Sequence, residues 1–130
     1  MLSLARTIAI GAGVAVLWTT SVSAHHSYAM FDATKDVTLT GTVKVFEWTN
    51  PHVWIRIEVA GANGALEVWG VEGQSPNFLS RRGWSGKTFK AGDKVSIVIH
   101  PLKDGAKGGQ FVSAVLPNGE TKLMTGPSLP

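Results

Sequence analysis

Two groups of residues in this sequence have the types and spacing to do chemistry. The first is His25-His26, which stand directly after Val22-Ser23-Ala24. If the chain is cut after Ala24, His25 offers one metal ion both its new α-amine and its ring nitrogen. That amine has an ordinary pKa of about 7.7–8.0, so a metal displaces its proton near neutral pH. A further imidazole, from His26 or His52, completes a set of three nitrogen donors, and such sets favour Cu(II). Copper is therefore the one cofactor the sequence suggests. The plainer reading is that His25 and His26 belong to a solvated tail.

The second group is Glu47-Trp48-Thr49-Asn50-Pro51-His52-Val53-Trp54. Asn50-Pro51 forces a turn, because the residue before a proline avoids the helical region. His52 then opens a strand between two indoles, Trp48 and Trp54. Alternation along the next strand places Trp69 on the same outer face. Three indoles on one face would line a ligand groove with aromatic anchors. The alternative is that the N-terminal arm or a loop covers them.

The amine is a donor only if the N-terminus is removed, and the sequence ahead of His25 reads as a signal for that. Arg6 is the only charged side chain before Asp32, and every residue from Ile8 to Trp18 is apolar or Gly. A membrane span needs about 20 apolar residues, whereas the apolar region of a secretory signal needs about 7–15. Val22 and Ala24 fit the small-residue positions of a cleavage site. The expected product is periplasmic or secreted and keeps no stable membrane anchor. The sequence has no cysteine, which excludes a disulfide framework and a thiolate metal site.

With Arg6 removed from the twelve Lys and Arg, eleven stand against nine Asp and Glu. The basic residues are scattered and do not interleave with aromatics, so a nucleic-acid partner is not expected. A small ligand or another periplasmic protein is the expected partner.

The elements that must position these residues are strands. The chain divides into a signal peptide (1–24), an arm (25–36), a β domain (37–124) and a tail (125–130). Val37, Leu39, Gly41, Val43 and Val45 alternate with Thr38, Thr40, Thr42 and Lys44, a half-buried strand. Its phase slips at Val45-Phe46, where a β-bulge would bend it. Val53, Ile55, Ile57 and Val59 face inward on the second strand. After the Gly61–Gly64 turn, Leu66 and Val68 share one face of the third, and Glu67 and Trp69 the other. Ser75 through Gly83 read as a short helix, with Ser75 as N-cap and Pro76 at the first helical position. Phe78, Leu79 and Trp84 would plug a barrel.

Val95, Ile97 and Ile99 face inward on the fourth strand. A Gly-rich loop, residues 104–109, leads to a fifth strand from Gln110 to Leu116, and Thr121 to Met124 form a last short one. The expected fold is all-β with one short helix, a small closed or partly open antiparallel barrel of five to six strands in OB-fold order. An open antiparallel sandwich has the same alternation. Val43, Ile55, Ile57, Val68, Val95 and Ile97 are the expected core.

Taken together, His25-His26-Ser27, Gly41-Thr42-Val43, Asn50-Pro51-His52, Ser75-Pro76 and Ala91-Gly92-Asp93 resemble the small exported bacterial proteins grouped as a domain of unknown function. The resemblance spans essentially the whole chain after residue 24. It implies one exported β-rich domain and supplies no activity.

Three classes of function follow. The first is an exported, non-catalytic binding or accessory module. The second is a periplasmic copper-binding protein that uses His25 with His26 or His52. The third is a small enzyme. Glu47, His52, Glu72 and Asp93 are the groups that could form an acid–base pair, but no serine elbow or HExxH motif accompanies them. The cleavage site is directly testable: N-terminal sequencing of exported protein should return His25. A start more than one residue away removes the amine donor.

Overall fold

The computed structural model describes residues 28–124. The stretch expected to be a signal peptide (1–24), His25, His26 and the C-terminal tail (125–130) lie outside the described residues.

Six strands and one helix follow in order: β1 (Val37–Glu47), β2 (Trp54–Ala60), β3 (Leu66–Glu72), α1 (Pro76–Ser80), β4 (Lys94–Pro101), β5 (Gly108–Val115) and β6 (Thr121–Leu123). They form one sheet in the order β3-β2-β1-β4-β5-β6. β3 also pairs with β5, which closes five strands into a barrel and leaves β6 as an addition on β5. This closure decides for the OB-type barrel over the open sandwich. It also differs from an all-antiparallel expectation, because the β3–β5 pairing is parallel. β5 starts at Gly108, two residues earlier than the sequence suggested, so Gly108 and Gly109 belong to the closing strand. A Cβ on Gly109 would stand 2.5 Å from the His100 carbonyl oxygen, and only glycine allows that approach.

β1 is long enough to serve both halves of the barrel. Gly41 is paired with Val59 of β2 on one side and with Val95 of β4 on the other. A Cβ there would lie 2.1 Å from the Glu58 backbone oxygen, so glycine at the bend is a packing requirement. The expected bulge is present one step early. The register shifts between Val43 and Val45, after which Val45 is exposed and Phe46 packs against the core.

Leu39, Val43, Ile55, Ile57, Val95, Ile97, Ile99 and Phe111 fill the interior. Ser75 caps α1, its hydroxyl accepting from the Phe78 N–H at 3.3 Å. Leu79 and Trp84 are buried and Phe78 packs against them, so the expected plug is in place. The Trp84 ring meets Phe111 edge-on at 5.1 Å and Phe89 at 5.6 Å, geometry that aromatic quadrupoles favour.

One strand face is reversed from expectation. Val68 sits opposite Glu58 and is 45% exposed, while Trp69 sits opposite Ile57 and packs against the core. The cause lies in the turn. The Gly61 N–H donates to the Ala65 carbonyl at 2.8 Å, and the resulting register pairs Ala60 with Leu66. A one-residue difference in register moves every side chain to the other face. The indole also removes more apolar surface from water than valine does.

The arm is not simply extended. Tyr28–Met30 form a 3₁₀ turn, and Phe31 then bridges Leu102 and is buried. The Asp32 N–H donates to the Pro101 carbonyl at 2.8 Å and the Lys103 N–H to the Met30 carbonyl at 3.0 Å.

Two substitutions test this packing. Ile55→Ala should lower unfolding free energy by about 2–5 kcal/mol, the usual cost of a large core truncation. Gly41→Ala should cost about 1–3 kcal/mol, because backbone must move to admit the methyl group. Denaturant titration reads both, and a change below about 1 kcal/mol for Ile55→Ala would contradict its inward placement.

Candidate functional site

Past the ends of β2 and β3 the two chains stay zipped for one more step. The Val53 N–H donates to the Gln74 carbonyl at 3.0 Å, and the Gly73 N–H returns to the Val53 carbonyl at 2.9 Å. Val53 and Ile55 point inward, fully buried. His52 and Trp54 therefore share the outer face, together with Glu72, which sits opposite Trp54. The His52 Nδ1 is hydrogen-bonded to a carboxylate oxygen of Glu72. The Glu72 side chain is only 7% exposed and His52 20%. Glu72 is the only buried acidic side chain among the described residues, and a buried carboxylate is costly unless a partner satisfies it.

Barrel closure extends this pair into a row. Glu72 is in register with Gln110 of β5, and Gln110 with His100 of β4. The His100 Nε2 reaches Asp36 at 3.3 Å, while its Nδ1 is buried with no hydrogen-bond partner among the described residues. The arm touches both ends of the row, at His100 through Asp36 and beside His52 through Tyr28, whose hydroxyl accepts from the Gln74 amide at 2.7 Å. Tyr28, Gln74, His100 and Gln110 line a cavity of about 310 Å³ with Phe111, Val112 and Met124.

The sequence-derived candidates are distributed as follows. His52 lies at this barrel end. Of the four acid–base candidates, only His52 and Glu72 meet. Glu47 pairs with Arg56 at 3.4 Å, and Asp93 accepts from the Lys90 N–H at 2.9 Å. The three indoles do not form a groove. Trp54 stays on the outer face beneath the Arg56 guanidinium, 4.7 Å from its ring centre. Trp48 packs against the core with Phe46 at 5.8 Å, and Trp69 is turned inward by its register. Trp48 and Trp69 are thus taken up by packing against the core rather than by a shared outer face. His25 and His26 lie outside the described residues. Among the described residues no three His, Asp or Glu side chains are grouped to hold a metal. No helix there is long and apolar enough to cross a membrane.

Sequence reasoning missed Gln110, His100, Asp36 and Gln74. His100 follows the inward Ile99 and so had an outward parity that marked it. Nothing local marked Gln110, whose neighbours come from a pairing between distant strands.

A model of a family of unknown function, DUF6152, matches residues 14–111. This chain belongs to that family. The matched DUF6152 region contains His52, Glu72, His100 and Gln110. No curated protein matches the chain. Among solved structures it is similar to the mitochondrial single-stranded DNA binding protein Rim1 of S. cerevisiae, at 13% identity and a TM-score of 0.45, over 64% of this chain and 94% of that one. The strand order and closure of this DUF6152 protein carry its fold assignment independently of that likeness.

The arm that reaches the site carries its own electrostatic check. Asp32 has its pKa lowered from 3.8 to about 2, first by the Thr34 hydroxyl, at 2.6 Å, and then by the Lys35 ammonium, at 3.1 Å. Because the folded value is the lower one, the turn is stabilised above the unfolded value and loses that support as pH falls through about 2. An NMR titration of Asp32 should have its midpoint near 2. A midpoint near the unperturbed value would mean that this turn does not persist in solution.

Proposed function

We propose that the protein is exported and acts as a non-catalytic binding module whose ligand seat is the arm-side end of the barrel. Export is supported by the short apolar run and the Val22-Ser23-Ala24 site. The observation that carries the binding reading is where the arm is fastened. Tyr28 is bonded to Gln74, and the Gln74 carbonyl accepts from Val53, the neighbour of His52. The polypeptide that would carry a new N-terminus is thus tied down beside the imidazole at the barrel mouth.

This placement favours a second, more specific reading, in which the ligand is Cu(II). Tyr28 is three residue steps from His25, and at about 3.3 Å each they span about 10 Å. The α-amine and ring of His25 are therefore within reach of the barrel end. His52, or His26, would add the further imidazole, giving the nitrogen-rich set that Cu(II) prefers. Cleavage would create the amine, so the site would form only after export.

The test compares the mature protein, a version with one added N-terminal Gly, and His52→Ala, each titrated with Cu(II). One ion per chain is expected, bound at least tenfold more weakly in both altered proteins. Affinity that is micromolar or weaker and unchanged in both would remove the amine and His52 as ligands.

A further inference from the structure

The barrel end away from the arm holds a second hollow. The β4–β5 ladder runs from His100–Gln110 on the arm side to Ser96–Val115 at the other end. Past that other end, the loop between α1 and β4 faces the hairpin that joins β5 to β6. Between them lies a cavity of about 330 Å³, lined mostly by polar side chains of both.

Lys122 is its unusual member. It pairs with Ala114, which is 1% exposed, so its parity turns it toward the interior. Its side chain is 8% exposed, and it is the only buried cation among the described residues. A buried charge is costly unless its hydrogen bonds are made. The ammonium has three N–H donors, and its one acceptor among the described residues is a Glu120 carboxylate oxygen, at 2.5 Å. Lys87 and Lys90 also line the hollow, and neither has an acidic partner among the described residues.

The neutral groups of the lining are donors too. Ser85 Oγ accepts from the Lys87 N–H at 3.2 Å, Thr88 Oγ1 from the Ser85 N–H at 2.8 Å, and Asn118 Oδ1 from the Glu120 N–H at 2.9 Å. Their oxygens serve the backbone, while the two hydroxyl hydrogens and the amide hydrogens have no acceptor among the described residues. Two carboxylates oppose an anion here, and both are engaged. Asp93 accepts from the Lys90 N–H at 2.9 Å, and Glu120 from Lys122. Three ammonium groups stand against these two. The loop is also fixed in place: the Gly92 N–H donates to the Val43 carbonyl and the Val43 N–H to the Asp93 carbonyl, both at 2.8 Å.

A hollow with surplus donors and surplus positive charge suits a group that only accepts. Lysine binds phosphate as a point charge. A phosphate group has at least three strong acceptor oxygens, enough to meet donors from both walls, where a carboxylate has two. We infer that this hollow is a second ligand site, for the phosphate group of a small molecule, with Lys122 as its buried anchor and Lys87 and Lys90 facing it from the loop. It is separate from the arm-side seat and does not rest on the reading given for that seat.

The experiment titrates purified ¹⁵N-labelled protein with inorganic phosphate, glycerol phosphate and succinate in turn, at constant ionic strength, and follows the backbone amide shifts. Saturable shifts at Ser85, Thr88, Asn118 and Lys122 are expected, with one phosphate per chain. Lys122→Met keeps the aliphatic stem and removes the ammonium. It should weaken phosphate binding about tenfold or more, the scale of a hydrogen bond to a charged group. Lys87→Gln/Lys90→Gln, at two exposed positions, should also weaken it, and keeps the test open if the methionine variant does not fold. Lys103→Gln/Lys107→Gln removes the same charge at the arm-side end and should leave affinity unchanged. Glycerol phosphate binding more tightly than inorganic phosphate would name an ester as the ligand, and the reverse order free phosphate; either supports the site. Shifts that do not saturate overturn the inference, as do an equal loss in the Lys103/Lys107 variant and succinate binding as tightly as phosphate. It also fails if either altered protein, folded, binds phosphate as the wild type does, and Lys122–Glu120 is then a structural ion pair only.

Discussion

The parallel pairing of β3 with β5 is the contact on which the arm-side end of this molecule depends. It is only three residues long, Gly70–Glu72 against Gly108–Gln110. Without it the sheet would be open, and Glu72 on β3 and His100 on β4 would be separated by β2 and β1. With it, Glu72, Gln110 and His100 become neighbours in one row. The pairing is tight: a Cβ on Gly108 would stand 2.9 Å from the Gly70 carbonyl oxygen. Gly70, Gly108 and Gly109 meet at the seam, and at Gly108 and Gly109 a backbone carbonyl oxygen stands where a Cβ would press.

A chain without cysteine has only its core to maintain that seam. Native stability is a small difference between large terms, about 5–15 kcal/mol. Core aromatics therefore carry much of the specificity. Trp84, Phe89 and Phe111 form an edge-to-face cluster, and Phe111 is a residue of the closing strand itself. The plug and the seam are coupled through one ring. The Trp84 indole nitrogen is buried with no hydrogen-bond partner among the described residues, a penalty that the surrounding packing has to offset.

How much of this was legible follows from the range of each signal. β2 and β4 show clean alternation and their faces are as the sequence implied, as is that of β1 up to its bulge, past which Val45 turns outward and Phe46 inward. Ser75, Pro76 and Gly83 mark the helix through local capping chemistry, although its regular part is shorter than the marked stretch. β3 was misread because Leu66, Val68, Trp69 and Val71 offer apolar residues at both parities, and only the preceding turn chooses between them. Gly108 and Gly109 resembled a flexible loop because glycine has the same one-letter appearance in a hinge and in a seam. At the site, His52 and Glu72 were both marked as reactive types. Their meeting needed the β2–β3 register, and Gln110 needed the barrel closure, which no local pattern encodes.

The arm shows how the site could be prepared before any ligand arrives. Ordering a residue costs about 1–2 kcal/mol of backbone entropy, so an arm of this length ordered by a metal alone would leave little net affinity. In this structure much of that ordering is already offset. Burial of the Phe31 ring is worth about 1.5–3 kcal/mol, and the Asp32–Pro101 and Lys103–Met30 backbone hydrogen bonds, Tyr28–Gln74 and Asp36–His100 add to it. A ligand that uses residues ahead of Tyr28 need not order Tyr28–Lys35 as well. That is preorganisation in the usual sense, since the cost of fixing geometry is met by folding rather than by binding. It also explains why the arm is anchored at two places. One anchor would leave it free to pivot, whereas Gln74 and His100 at opposite ends of the row fix both its position and its direction across the barrel mouth.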